Sequence, residues 1–136
     1  MKIKYDYRLI NIFFSSISIK RLNDIPPGIE ILISSEIKIL ELEFPHIQVN
    51  LISKTQDDSP ISFNIETIGQ FDYIGIKKMF DRDKNKLFVF KEGLPILWIY
   101  TSQFLRTLTS QMGMNPLLIN MPQEFSDEPT NTNNNN

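Results

Sequence analysis

Residues 94–125 read LPILWIYTSQFLRTLTSQMGMNPLLINMPQEF, and this stretch decides how the rest of the chain must be arranged. Pro95 suits the first turn of a helix, where its missing N–H costs nothing. Leu97, Thr101, Phe104, Leu105, Leu108 and Met112 then recur at helical spacing and form one stripe. Gly113 stands where such a helix would end, because glycine takes the left-handed C′ conformation without a steric penalty. Beyond it lies a second apolar segment, bounded by Pro116 and Pro122. That segment is too short and too proline-bound for a helix, and too apolar for a solvated loop. It needs a surface to lie against.

The first part of the chain supplies strands for that surface. Residues 8–20 are apolar and β-branched, with Ile17 and Ile19 alternating against Ser16 and Ser18. Pro26-Pro27-Gly28 is a break. Ile29, Ile31, Ile33, Ile37 and Ile39 then share one face, with Glu30, Ser34, Glu36 and Lys38 on the other. The phase flips near Leu40, where Leu42 and Phe44 take over the apolar face, so a bulge or bend is expected there. Alternation resumes with Ile47, Val49 and Leu51, and again with Ile61, Phe63 and Ile65 after a turn at residues 55–60. The pattern predicts a four-strand antiparallel meander with one buried face. Residues 76–92 fit a helix, a strand or a loop with an apolar anchor at Leu87-Phe88-Val89-Phe90. The fold class is therefore α+β, a four-stranded antiparallel sheet with one long C-terminal helix on one face.

Composition narrows the function. At 136 residues the chain is a single domain. Residues 1–125 form it, and the Asn-rich tail 126–136 is too polar to bury a core, so disorder is expected there. Lys plus Arg total 14 against 16 Asp plus Glu, which argues against dedicated nucleic-acid binding. There is no cysteine, so disulfides, thiolate metal sites and Cys nucleophiles are excluded. No apolar run approaches the ~18 residues of a membrane span. The N-terminal apolar run is interrupted by Asn11 and lacks a small-residue cleavage pattern, so a cytoplasmic location is expected.

Signals for chemistry are weak. Asp81, Asp83, Asn85 and Glu92 match ligand positions of a calcium loop, but Lys86 occupies the position that needs glycine, and a solvated connector is the better reading. His46 is the only histidine and no sequence neighbour equips it as a base or a ligand. No phosphate loop or nucleophile motif is present. No catalytic residue, cofactor or metal is expected.

At this point the order of parts resembles the SecB family of protein-export chaperones. Residues 47–76, IQVNLISKTQDDSPISFNIETIGQFDYIGI, look like the family's central hairpin and the segment after it. Residues 94–125 look like its long helix and following connector, with Gly113, Pro116, Leu117, Ile119, Pro122 and Phe125 as the matching positions. The resemblance implies an oligomer, dimer or tetramer, that holds unfolded polypeptides in a hydrophobic groove between sheet and connector. Phe63, Phe71, Tyr73, Leu117, Leu118, Met121 and Phe125 are the groove candidates, and Trp98 and Leu105 the candidate subunit contacts. Met112, Met114 and Met121 add the adaptability of promiscuous surfaces.

The chain departs from the family in three ways. Family members continue into a second helix, whereas Phe125 is followed by a polar tail. The acidic positions used to dock the motor ATPase SecA hold Ser16, Lys20 and Asn64 here, with Glu66 on the same face. The tail also lacks the family's basic, zinc-proximal contact character. The resemblance therefore implies client holding, for export or for one dedicated client such as an antitoxin, without clear support for motor docking. A non-catalytic interaction module with one fixed partner is the alternative.

Overall fold

The computed structural model describes residues 6–21, 31–56 and 59–113. Four antiparallel strands form one sheet: β1 (Tyr7–Arg21), β2 (Ile33–Glu41), β3 (His46–Thr55) and β4 (Ile61–Tyr73). A short 3-10 turn at Lys77–Met79 leads into α1 (Arg82–Phe88), a widened π turn (Val89–Gly93) and α2 (Leu94–Gln111). The fold is α+β, with the long helix on one face of the sheet.

The strand order is β1-β4-β3-β2. Strands β2 to β4 form a meander, but β1 lies against β4 and not against β2, which corrects the four-strand meander expected from the pattern. Length explains part of this. The two long strands, of 15 and 13 residues, pair with each other from Tyr7–Tyr73 to Arg21–Ile61. The Pro26-Pro27-Gly28 break also removes amide donors that a tight β1–β2 hairpin would need.

Period-2 alternation places Ile47, Val49 and Leu51 of β3 and Ile61, Phe63, Ile65 and Phe71 of β4 on the inner face, all buried. The outer face is polar. Gln48 Nε2 donates to Asn50 Oδ1 at 3.0 Å, Asn50 Nδ2 donates to Glu66 Oε2 at 3.1 Å, and Ser15 Oγ donates to Glu66 Oε1 at 2.6 Å. The phase flip near Leu40 is a turn: β2 stops at Glu41, and Leu42 N–H to His46 O and His46 N–H to Glu43 O close the reversal. Register shifts of the bulge type fall instead in β1, at Leu9/Asn11 and Phe14/Ser16.

The ambiguous stretch before residue 94 is helical. The Asp81 carboxylate accepts the Lys84 backbone N–H at 2.8 Å and so caps α1. Phe88 and Val89 are the buried anchors, with Phe88 stacked on Tyr7 at 4.1 Å between ring centroids. The π turn ends at Gly93, two residues before Pro95. A proline has no N–H to give the carbonyl four residues back and its ring crowds that carbonyl, so a widened turn relieves both.

Leu94, Leu97, Trp98, Thr101, Leu105 and Thr109 bury the inner stripe of α2 against β3 and β4. The approach is close at Gly69, where an added Cβ would sit 2.7 Å from Leu97 Cδ2. Thr101 Oγ1 donates to the Leu97 carbonyl at 2.8 Å, which leaves the Thr67 hydroxyl to donate to Thr101 at 2.6 Å and tie helix to sheet. The helix ends at Gly113, whose φ of 76° is the left-handed stop read from the sequence.

Candidate functional site

α2 covers the inner face over β3 and β4, and the inner side chains of β2 are less completely enclosed. Ile33, Ile37 and Ile39 pack on the core while staying half-buried. Just beyond them Leu40 and Leu42 are exposed at 41% and 47%. These residues border a cleft of about 550 Å³ lined by Ile39, Leu40, Glu41, Leu42, Arg82 and Lys86. Its floor is the end of β2 and its lip is the outer side of α1.

A polar relay fixes that lip. Asn85 is buried at 1% exposure and its Nδ2 donates to Glu41 Oε2 at 2.8 Å, while Arg82 Nε donates to Glu41 Oε1 at 3.3 Å. The Tyr7 hydroxyl donates to Asn85 Oδ1. Burial, followed by the nearby Tyr73, Asp81, Asp6 and Glu41, pushes the Tyr7 pKa well above the usual tyrosine range, so the hydroxyl keeps the proton it donates. One buried amide thus joins β1, α1 and the end of β2.

A smaller cleft of about 250 Å³ lies around Ile10, Leu42, His46, Gln70 and Asp72. His46 is exposed, as its position on the polar phase implies, but it has a partner that the sequence did not reveal: Nδ1 lies 2.7 Å from Asp72 Oδ1. The two residues face each other across the β3–β4 register.

The structure separates the groove candidates. Phe63, Phe71 and Tyr73 are core residues, at 2%, 1% and 3% exposure, because the inner face of β4 is the one the helices cover. They do not present a surface to a client in this arrangement. Leu117, Leu118, Met121 and Phe125 lie outside the described residues, as does the tail 126–136. Trp98 and Leu105 are also buried within the chain, since both point from α2 toward the sheet. The outward side of α2 carries Ile99 and Tyr100 instead, exposed at 55% and 38%.

The calcium-loop pattern takes another form. Residues 82–88 are helical, and the Asn85 side chain is occupied by Tyr7 and Glu41. Among the described residues no group of three or more His, Asp or Glu side chains is placed to hold a metal ion.

Leu40, Leu42, Arg82 and Lys86 were not singled out by pattern. A signal for the first two was present: Ile39, Leu40 and Leu42 place apolar side chains on both faces of one strand end. A strand with one covered face can bury only half of them.

No protein-family model and no curated protein matches the sequence. The solved structures include a Mycobacterium tuberculosis protein, the Rv1957 SecB-like chaperone in complex with a ChAD peptide from the Rv1956 HigA1 antitoxin. It aligns with a TM-score of 0.66 at 12% sequence identity, over 86% of this chain and 91% of that one. The similarity is one of fold, carried by the sheet and the long helix and not by sequence. The architecture assembled here, a four-stranded antiparallel sheet backed by one long C-terminal helix, is SecB-like.

Proposed function

We propose that the chain is a SecB-like molecular chaperone that holds unfolded or non-native polypeptides, for export or for one dedicated client. The carrying observation is the cleft at the end of β2, with Ile39, Leu40 and Leu42 in its lining, set beside an otherwise well-buried core in a SecB-like fold. Contiguous exposed apolar surface marks interaction sites in folded proteins. Such contacts are non-directional and need no sequence code, which suits an extended, unfolded guest. No step of this reading requires catalysis or a cofactor. An oligomer, dimer or tetramer, in the cytoplasm belongs to the same proposal. Among the described residues no helix is long and apolar enough to cross a membrane.

A non-catalytic interaction module with one fixed partner is the second reading. Ser16, Lys20 and Asn64 occupy the outer face where the resemblance implies acidic docking positions, and Glu66 is engaged by Ser15 and Asn50. The similar solved structure holds an antitoxin peptide, so a single fixed partner fits better than the SecA motor.

The test is breadth of binding. The purified protein is mixed with several unrelated unfolded proteins and their aggregation is followed by light scattering. Suppression across the set supports general holding. Suppression of none, with tight binding of one peptide in a calorimeter, supports the dedicated role. Neither result sinks both readings. Replacing Leu117 and Leu118 by Ser should weaken binding while the fold survives, and unfolding instead would make them core.

A further inference from the structure

We infer that the cleft at the end of β2 selects polypeptide segments in which apolar side chains are flanked by Asp or Glu. The inference rests on the peptide-holding reading of this cleft and adds the class of segment it takes. Its floor is apolar: Ile39, Leu40 and Leu42. Its lip is cationic. Arg82 projects with 85% of its side chain exposed, and Lys86, one helical turn later, carries no ion pair among the described residues.

The one acid in the cleft, Glu41, pairs with Arg82, so the uncompensated charge of the lip is that of Lys86. Each Glu41 oxygen already accepts a hydrogen bond, one from Arg82 and one from Asn85. The carboxylate is therefore held against the Arg82 and Asn85 side chains of α1 and compensated there.

Charge along the chain is segregated in the same sense. Residues 77–91 hold six basic residues, Lys77, Lys78, Arg82, Lys84, Lys86 and Lys91, against Asp81 and Asp83, although the chain as a whole carries −2. The acidic excess lies elsewhere. Lys77 and Lys84 are turned over the Phe44 and Tyr73 rings, at 5.4 and 6.0 Å from the centroids, which leaves Arg82 and Lys86 as the cations lining the cleft.

A concave site of about 550 Å³ admits side chains of an extended peptide and not a flat surface. The helix that lines it, α1, is seven residues long and too short to lie as an amphipathic helix on lipid. Complementary charge at such a rim chiefly steers and discriminates. Acidic flanks are attracted to Lys86, and basic flanks meet its like charge.

The experiment uses the full chain and three fluorescent peptides with one Leu- and Phe-containing core, flanked by Glu, by Gln or by Lys. Anisotropy titrations are expected to rank them Glu over Gln over Lys, with roughly tenfold between the extremes, as a few weak rim pairs would give. The gap should shrink in about 0.5 M salt, where screening acts within a few ångströms. Lys86→Gln should narrow the gap and Lys86→Glu should close or invert it, with circular dichroism confirming that the exposed substitution leaves the fold in place. Equal affinity for all three peptides overturns the selectivity and leaves peptide holding intact. No binding of any peptide overturns the cleft as a holding site. A ranking unchanged by Lys86→Glu and Arg82→Gln overturns the assignment to this lip. Binding of phosphatidylserine vesicles without peptide preference would make the surface a lipid contact and overturn the proposal.

Discussion

The Asn85 amide reaches the Glu41 carboxylate at 2.8 Å and so clamps α1 onto the last residue of β2. Both ends of the amide are used, because the carbonyl oxygen accepts from Tyr7. Replacing Asn85 by Leu keeps the volume but leaves the Tyr7 hydroxyl unpaired and takes one of two hydrogen bonds from Glu41, which keeps Arg82. The cost should be about 1–3 kcal/mol, the usual penalty for leaving buried polar groups unpaired. Urea unfolding of wild type and Asn85→Leu checks it, and a change under about 0.5 kcal/mol would show that the clamp is ornamental.

The same clamp gives a pH signature. The Tyr7 pKa is raised in the folded chain above its ordinary value of 10.0. A group with a raised folded pKa contributes its stability fully below the unfolded pKa and loses it as pH rises through the folded one. Stability should therefore hold to about pH 10 and fall above it, as the unfolded chain sheds a proton the folded chain retains. In Tyr7→Phe the alkaline fall should be shallower. Midpoints of thermal unfolding from pH 8 to 11 measure the difference, and parallel curves would contradict it.

Helix and sheet meet most tightly at Gly69 and Leu97. Gly69→Ala should cost about 1–3 kcal/mol, because the new methyl overlaps Leu97 Cδ2 and the Phe71 ring. Leu97→Ala alone should cost about 2–5 kcal/mol for the cavity it opens. In the double variant the Gly69→Ala increment should shrink, since the methyl then has room. Strict additivity in a double-mutant cycle would show that the two sites do not share that space.

Core and cleft are separable by mutation. Leu40→Ser with Leu42→Ser changes exposed side chains, so stability should move by no more than about 1 kcal/mol while client affinity drops several-fold. Phe71→Ser should instead unfold the chain or cost about 3 kcal/mol or more, because Phe71 is 1% exposed. A cleft variant that binds clients as well as wild type would move the holding site elsewhere.

These contrasts show what could be read from residues alone. The α2 stripe from Leu97 to Met112 and its Gly113 stop were legible, because helical periodicity and a positive-φ glycine are local properties. The strands from Ile33 to Ile65 were legible for the same reason. Which strand pairs with which was not, because β1 finds β4 through matched length and a face that lies far along the chain. The helix at residues 82–88 was obscured by its lysines and by the acidic spacing of Asp81 and Asp83, whose first member caps the helix. Trp98 sits off the main stripe, which suggests a subunit contact, yet the buried face of α2 is wide enough to include it. Phe63, Phe71 and Tyr73 fit a groove and a core equally well in sequence, because aromatic strand residues look alike whether a helix or a client covers them.

The sheet order carries a consequence for synthesis. The strand made first, β1, can only pair with the strand made last, β4. Long-range pairing of this kind is slow to close, since the loop entropy must be overcome before any contact rewards it. The β2–β3–β4 hairpins are local and can form as they emerge from the ribosome. Until β4 is complete, Leu9, Ile10, Phe13 and Phe14 of β1 remain without their sheet partner, so the nascent chain is itself for a time the sort of unfolded guest that its finished form is proposed to hold.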